Sequence, residues 1–326
     1  MQNKGKEEKK LHWAEEQEII KSNAPLVFLL KLMKKTPKFF IHFIVFPVSF
    51  FFYVFSRRAR EEAILYQEQL KKYTNGRCPK RINAYKQIFA FSMCVVEKME
   101  GWLGRFDYDK LIKHDDDLPV ILDQLASGKG AFVIGSHLGN MELLRSISSL
   151  NTLGVEKHVD VTAIMEMDAT SQFNNVLKTV DPNVQMNLID AKNIGPETIC
   201  LIEEKIDEGG LVFVAADRTS ASARKRVLRH KFLGKDAEFP YGVFMMAALL
   251  KVPVYYIFGM RDKSVTLFPK HHIYVEKSTV DLDCERNERE QRINDLCLEF
   301  IGKLEKFVQL YPFQWYNFHN FWLLQE

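Results

Sequence analysis

Cysteine is scarce: five residues in 326, none in a Cys-x-x-Cys pair. That leaves neither a disulfide framework nor a zinc ribbon, and buried free thiols in a reducing compartment are the expectation. His271–His272 lacks the Cys, Asp or Glu spacing of a zinc site, so no metal is expected. Charge of one sign is also missing. Lys plus Arg number 45 against 42 Asp plus Glu, a net +3, which argues against a nucleic-acid binder along the whole chain. Three catalytic signatures are absent. There is no G-x-G-x-x-G fingerprint and no P-loop. There is no G-x-S-x-G elbow either, because Gly135–Ser136–His137 sets the Ser directly beside the Gly. Internal repeats and low-complexity tracts are lacking. Residues 1–21 are polar and show no signal-peptide order of basic, apolar and cleavage regions. The length excludes a stapled mini-protein and allows one large domain or two small ones.

Phenylalanine, by contrast, is abundant at 25 residues. Much of it falls in residues 39–55, FFIHFIVFPVSFFFYVF, where only His42, Pro47 and Ser49 are not apolar. A helix of that length spans roughly 25 Å against a hydrocarbon core of about 30 Å. Pro47 is expected to kink it. Lys34, Lys35 and Lys38 precede the run, and Arg57, Arg58 and Arg60 follow it. Symmetric basic flanks set no orientation, but they suit contact with an anionic leaflet. Membrane association is therefore expected over a buried core helix, as a monotopic segment or a single anchor.

The organisation expected is a polar tail (1–21), a membrane-associated apolar segment (22–60) and an α/β domain (61–326). The domain divides into a helical lead-in (61–117), a core (118–276) and a carboxyl-terminal helix with an aromatic tail (277–326). In the lead-in, helices are expected at 61–73 and 82–103, separated by TNGRCP. In the core, apolar β-branched runs at 131–135, 159–165, 184–189, 211–215, 254–258 and 273–276 alternate with helical stretches at 141–150, 171–180, 196–208 and 241–250. That alternation predicts a largely parallel central sheet with flanking helices. A last helix is expected at 285–310.

The stretch AFVIGSHLGNMELLR (131–145) carries the chemistry. His137 follows a strand's carboxyl end, where open α/β sheets bind ligands. Glu142 lies five residues on. Within one helix those positions are about 140° apart, so they meet only if the His precedes the helix and the Glu faces back from its first turn. Gly135 and Gly139 permit that bend, and Asn140 can cap the helix. A carboxylate beside the imidazole would fix its tautomer and make it a better general base. H-x4-E alone is weak evidence. It recurs at His271–Glu276, where a strand puts the two on opposite faces and the reading is structural.

GSHLGNMELL resembles the first motif of the lysophospholipid acyltransferase superfamily, above all its lipid A late-acyltransferase branch. Further likenesses follow in order: Ala215–Ala216–Asp217–Arg218, Phe232–Leu233–Gly234, Phe239–Pro240–Tyr241–Gly242, Val252–Pro253–Val254 and the tail YPFQWYNFH (311–319). Arg218 replaces a Gln of that branch, and Asn317 and Asn320 stand where the tail often carries Trp and Arg. The chain thus resembles a subgroup rather than a lipid A enzyme itself, which bears on the acceptor more than the chemistry. The resemblance, which runs from about residue 118 to the end, implies His137 and Glu142 as a catalytic dyad. It also implies substrate or oxyanion roles near Gly139, Asn140, Asp217, Arg218 and Gly242, and a site on the cytoplasmic face of a bacterial inner membrane.

Acyl transfer needs a base, an oxyanion partner and room for two amphiphiles. His137 is the expected base and Glu142 its orienter. Backbone N–H groups near Gly139, or Arg218, are the expected oxyanion partners. Residues 217–235 carry seven Lys or Arg against one Asp. Arg224, Lys225, Arg226, Arg229 and Lys231 are either a solvated loop or a dock for phosphates of an anionic lipid, coenzyme A or an acidic acyl carrier protein. The expected activity is O-acyl transfer from an acyl carrier protein or CoA thioester to a membrane lipid acceptor, with no bound cofactor and no nucleic-acid partner. The alternatives are a lipid esterase or thioesterase on the same scaffold, and a non-catalytic lipid-binding protein.

Overall fold

In a computed structural model, residues 30, 32–114, 117–144, 159–165, 187–219 and 226–322 are described. Helices α1 (Lys38–Phe55), α2 (Arg57–Tyr73) and α3 (Ala84–Trp102) form the lead-in. The Asn83 side chain accepts from the Lys86 N–H at 3.1 Å and so starts α3. β1 (Ile112–Lys113), α4 (Leu118–Ala126) and β2 (Ala131–Gly135) open the α/β domain. Then come β3 (Val161–Met165), β4 (Asn187–Asp190), α5 (Pro196–Asp207) and β5 (Leu211–Ala215). A hairpin of β6 (Val227–Phe232) and β7 (Lys235–Pro240) leads to α6 (Tyr241–Leu250), β8 (Val254–Arg261), β9 (His271–Lys277) and α7 (Arg289–Leu310).

Seven strands make one sheet in the order β1-β9-β8-β2-β5-β3-β4. The neighbours from β8 through β4 are parallel, β8 and β9 are antiparallel, and β1 runs parallel to β9. The α/β architecture with a largely parallel sheet, flanking helices and an amino-terminal apolar helix is as the sequence predicts. The central strands read as continuous apolar runs because both faces are covered. Phe132, Ile134, Val212 and Val214 join the core beneath α6 and α7. Ala131, Val133, Leu211 and Phe213 join the opposite core with Ile121 and Leu125 of α4. Period-two alternation thus splits each strand between two cores.

Several expectations shift. Residues 141–144 form a single 3₁₀ turn rather than the first turn of an α-helix. The rest of the stretch expected at 141–150, the helix expected at 171–180 and the polar tail lie outside the described residues. The basic run after Lys225 is half of an antiparallel hairpin rather than a loop. Its two-residue turn holds Leu233 and Gly234 at φ of 50° and 80°, the backbone of a tight hairpin reversal. All five cysteines are free, but only Cys94 and Cys297 are buried, and Cys200 is exposed. His271 pairs with Glu97 of α3, whereas Glu276 meets Lys303 and Lys306 of α7. This is consistent with a structural role for the second H-x4-E.

Candidate active site

The register of β2 against β5 builds the site. Gly135 pairs with Ala215, and the Ala216 N–H donates to the Gly135 carbonyl at 2.9 Å. Two residues beyond each strand end, His137 and Asp217 therefore arrive side by side. The Nδ1 of His137 lies 2.8 Å from Asp217 Oδ1. The His137 backbone N–H donates to Asp217 Oδ2 at 2.9 Å, and the Trp315 indole N–H donates to the same oxygen at 2.9 Å. Asp217 is fully buried, while the His137 side chain keeps 31% of its surface exposed. One carboxylate thus accepts three N–H groups, holding the ring from behind and leaving its outer edge open.

Charge follows from this packing. Burial alone would raise the Asp217 pKa, but His137, Arg218 and the Trp315 N–H hold it down at about 2. Burial and the neighbouring Arg218 lower the His137 pKa, and together they outweigh the opposing pull of Asp217. At neutral pH the pair is therefore an ionised Asp and a neutral His. The Nδ1 proton lies on the hydrogen bond to Asp217, so the Nε2 lone pair faces outward and can take a proton. A rate that depends on this base rises with pH through the His137 pKa, with its acid limb centred below 6.5. Arg218→Met removes a charge that depresses the pKa, so the limb is expected to move to higher pH. A kcat/KM profile with an unmoved limb would separate Arg218 from the imidazole.

The other sequence candidates fall into place unevenly. Asp217, expected to contact substrate or oxyanion, is instead buried behind His137 and holds its Nδ1. Glu142 sits on the 3₁₀ turn just past the loop, and its side chain lies outside the described residues. Gly139 and Asn140 are not oxyanion donors, because their N–H groups are committed to Gln314 O (2.8 Å) and Gly259 O (2.7 Å). Their roles are steric and structural. Gly139 has φ +77°, and a Cβ there would lie 2.2 Å from the Gly259 carbonyl oxygen, so both the backbone and the packing require glycine. The Asn140 amide points at buried Glu97, a long 3.5 Å contact. Arg218 donates to the Tyr316 carbonyl at 2.8 Å and places its charge near the imidazole. Gly242 lies in the first turn of α6, with open space where a Cβ would be.

Arg224 and Lys225 lie outside the described residues. Arg226 stacks on the Tyr241 ring at 4.1 Å and reaches its hydroxyl. Across the hairpin, Arg229 pairs with Glu238 and Lys231 with Asp236. Such exposed pairs are worth at most about 1 kcal/mol, so a stronger anion could displace them.

Trp315 and Gln314 of the aromatic tail also belong to the site, in roles that the tail's motif likeness does not specify. The tail closes over the loop: Tyr316 N–H donates to the His137 carbonyl at 2.9 Å, and the Gln314 amide spans the Arg261 N–H and carbonyl. Beneath it lies a buried ion pair, Arg261 Nε to Glu97 Oε1 at 3.1 Å, with His271 alongside at 3.2 Å. The signal that could have found Asp217 was present. AFVIGSH and LVFVAAD are two five-residue strands, each followed two residues later by one member of the pair.

No protein-family model matches the chain, and neither does any curated protein.

Proposed function

We propose that the chain is a membrane-associated acyltransferase. It moves a fatty acyl group from an acyl carrier protein or CoA thioester to a hydroxyl, or amine, of a lipid-like acceptor. The observation that carries this reading is a neutral imidazole fixed through Nδ1 by buried Asp217, with its outer nitrogen open at the carboxyl ends of parallel strands. The hydrogen bond to Asp217 engages Nδ1 and leaves Nε2 for the acceptor, and we read the transfer as direct, without a covalent acyl-enzyme. The motif likenesses around His137, Asp217 and the Gln314–Trp315 tail point the same way.

In the proposed step, His137 Nε2 takes the proton of the acceptor hydroxyl as its oxygen attacks the thioester carbon. The resulting oxyanion lies within the field of Arg218. Collapse breaks the C–S bond, and the imidazolium returns the proton to the departing thiolate. Asp217 stabilises the imidazolium between the two transfers. Glu142 is retained as a second acid at the site by its place on the adjoining turn. The helix α1 is long and apolar enough to anchor the chain to a membrane, where such an acceptor resides. We assign the site to the cytoplasmic face of a bacterial inner membrane, where acyl thioesters are supplied.

The test compares total lipid extracts, by mass spectrometry, from cells lacking the protein, carrying it, or carrying His137→Ala. A lipid that gains one acyl chain only with the intact protein is the expected result, and it identifies acceptor and chain length together. Release of free fatty acid instead would assign an esterase or thioesterase. Lipid profiles identical in all three would overturn the catalytic reading.

A further inference from the structure

The amphipathicity of α1 is inverted. Past Lys38 at its start, the polar side chains of its apolar run, His42 and Ser49, are buried, along with Ile41 and Val45. Ten of its Phe, Ile and Val side chains face outward, including Phe43 and Phe51 at 59% and 63% exposure. In water each such side chain forfeits about 1.5–3 kcal/mol of burial. A polar-in, phenyl-out helix is stable only against an apolar exterior.

The inward face is fastened along its length to α3. His42 meets Glu100 at 2.8 Å and the Leu267 carbonyl at 2.6 Å. Phe46 packs on Phe89 (centroids 4.6 Å apart), and Ser49 reaches the Tyr85 hydroxyl at 3.3 Å. Ahead of α1, Arg105 donates to the carbonyls of Met33 and Thr36. After it, α2 begins at Arg57 and buries Tyr66 and Leu70 in the main core. Both ends of α1 are thus tied to the same α/β body. Crossing the bilayer would drag α3 in with it, together with Lys86, Glu97, Lys98 and Glu100. The 18 residues would also reach only about 27 Å of a roughly 30 Å core.

A second element joins the exposed face from far along the chain. Phe268, in the loop between β8 and β9, is 61% exposed and stacks on Phe39 with centroids 6.2 Å apart. Exposed Val265, Lys263 and Lys270 lie in the same loop. Basic residues stand at both ends of α1 as well, so an apolar strip is bordered by cations, which complements a leaflet with anionic headgroups.

We propose that α1 and the Phe268 loop form one docking surface that lies in the plane of a single anionic leaflet, without crossing it. This deepens the membrane association in the reading above but does not depend on acyl transfer. It also gives that reading a geometry. The same helix α3 that carries α1 holds the His137 loop on its other contacts, through Cys94 to the Gly139 carbonyl (3.7 Å) and Glu97 to Asn140. In this arrangement α3, a helix about 10 Å across, lies between α1 and that loop.

The experiment uses the full chain in two arms. In membrane vesicles of one orientation, Lys35→Cys and Arg58→Cys variants are labelled with an impermeant maleimide, with exposed native Cys200 reporting the side of the α/β domain. Both introduced thiols are expected to label from the same side as Cys200. Labelling of the two from opposite sides would establish a span and overturn the proposal. In the second arm, detergent-purified protein is diluted into vesicles of phosphatidylcholine with or without phosphatidylglycerol. Phe268→Asp is expected to weaken binding to the anionic vesicles about tenfold or more, with thermal unfolding unchanged because the side chain is exposed. Unchanged binding would remove the loop from the surface. Failure of the intact chain to bind vesicles, with self-association through α1 instead, would overturn the membrane assignment. Neither arm reads catalysis, so loss of acyl transfer with both arms intact would count against the function alone.

Discussion

His137→Ala is expected to lower the proposed acyl transfer by about 10²- to 10⁴-fold, the usual worth of a positioned general base, while the protein stays folded. The fold should survive because Asp217 loses only one of its three N–H donors. The backbone N–H of residue 137 and the Trp315 indole remain at 2.9 Å, and Arg218 still compensates the charge. The vacated side-chain site opens to solvent, so water can satisfy Oδ1, and the stability cost is held to about 1 kcal/mol. Steady-state rates and thermal unfolding, measured on the same preparation, separate the two effects. Turnover near wild type would remove His137 from the mechanism. A collapsed unfolding transition would mean that His137 serves the fold, and His137→Gln, which restores a donor, would then recover stability without activity.

The second large effect is expected from Asp217→Asn. The carboxylate accepts three N–H groups, whereas an amide offers one acceptor oxygen and one NH₂ donor. If the oxygen keeps the backbone and Trp315 donors, the NH₂ faces His137 Nδ1 and makes it an acceptor. The ring proton then moves to Nε2, and the outward lone pair is lost. A loss of about 10³- to 10⁴-fold in kcat is expected, with KM little changed, because the tautomer fails rather than substrate binding. Glu142→Gln is expected to cost less than either variant. A severe defect there beside a mild one in Asp217→Asn would instead make Glu142 the orienting acid.

What the sequence determined by itself is local. The strands at 131–135 and 211–215 and the helix at 241–250 were legible to the residue, because buried parallel strands are continuous apolar runs and a largely buried helix has no polar interruptions. His137 was legible for the same reason: a histidine just past such a strand sits where the sheet opens. The hairpin at 227–240 was not, since the charges of its outer face mask the buried Phe232, Ala237 and Phe239 of its inner face, and its turn uses Leu233, a residue seldom found at positive φ. Nor could the chain show that His42 and Ser49 face inward while the phenylalanines face out, because a nearly uniform apolar run has no periodicity to read.

Only the tertiary structure decided that Asp217 meets His137. Glu142 is five residues away and Asp217 is eighty, and sequence nearness favoured the first. The β2–β5 register, which equates Gly135 with Ala215, brings the second within 2.8 Å. Backbone pairing between strands fixes contacts by register, and register is set by the whole sheet rather than by neighbours in the chain. The same holds for Trp315, Arg261 and Glu97, whose partners lie 98, 164 and 174 positions away from them in the chain and which acquire them only when the tail and α3 close over the carboxyl ends of the strands.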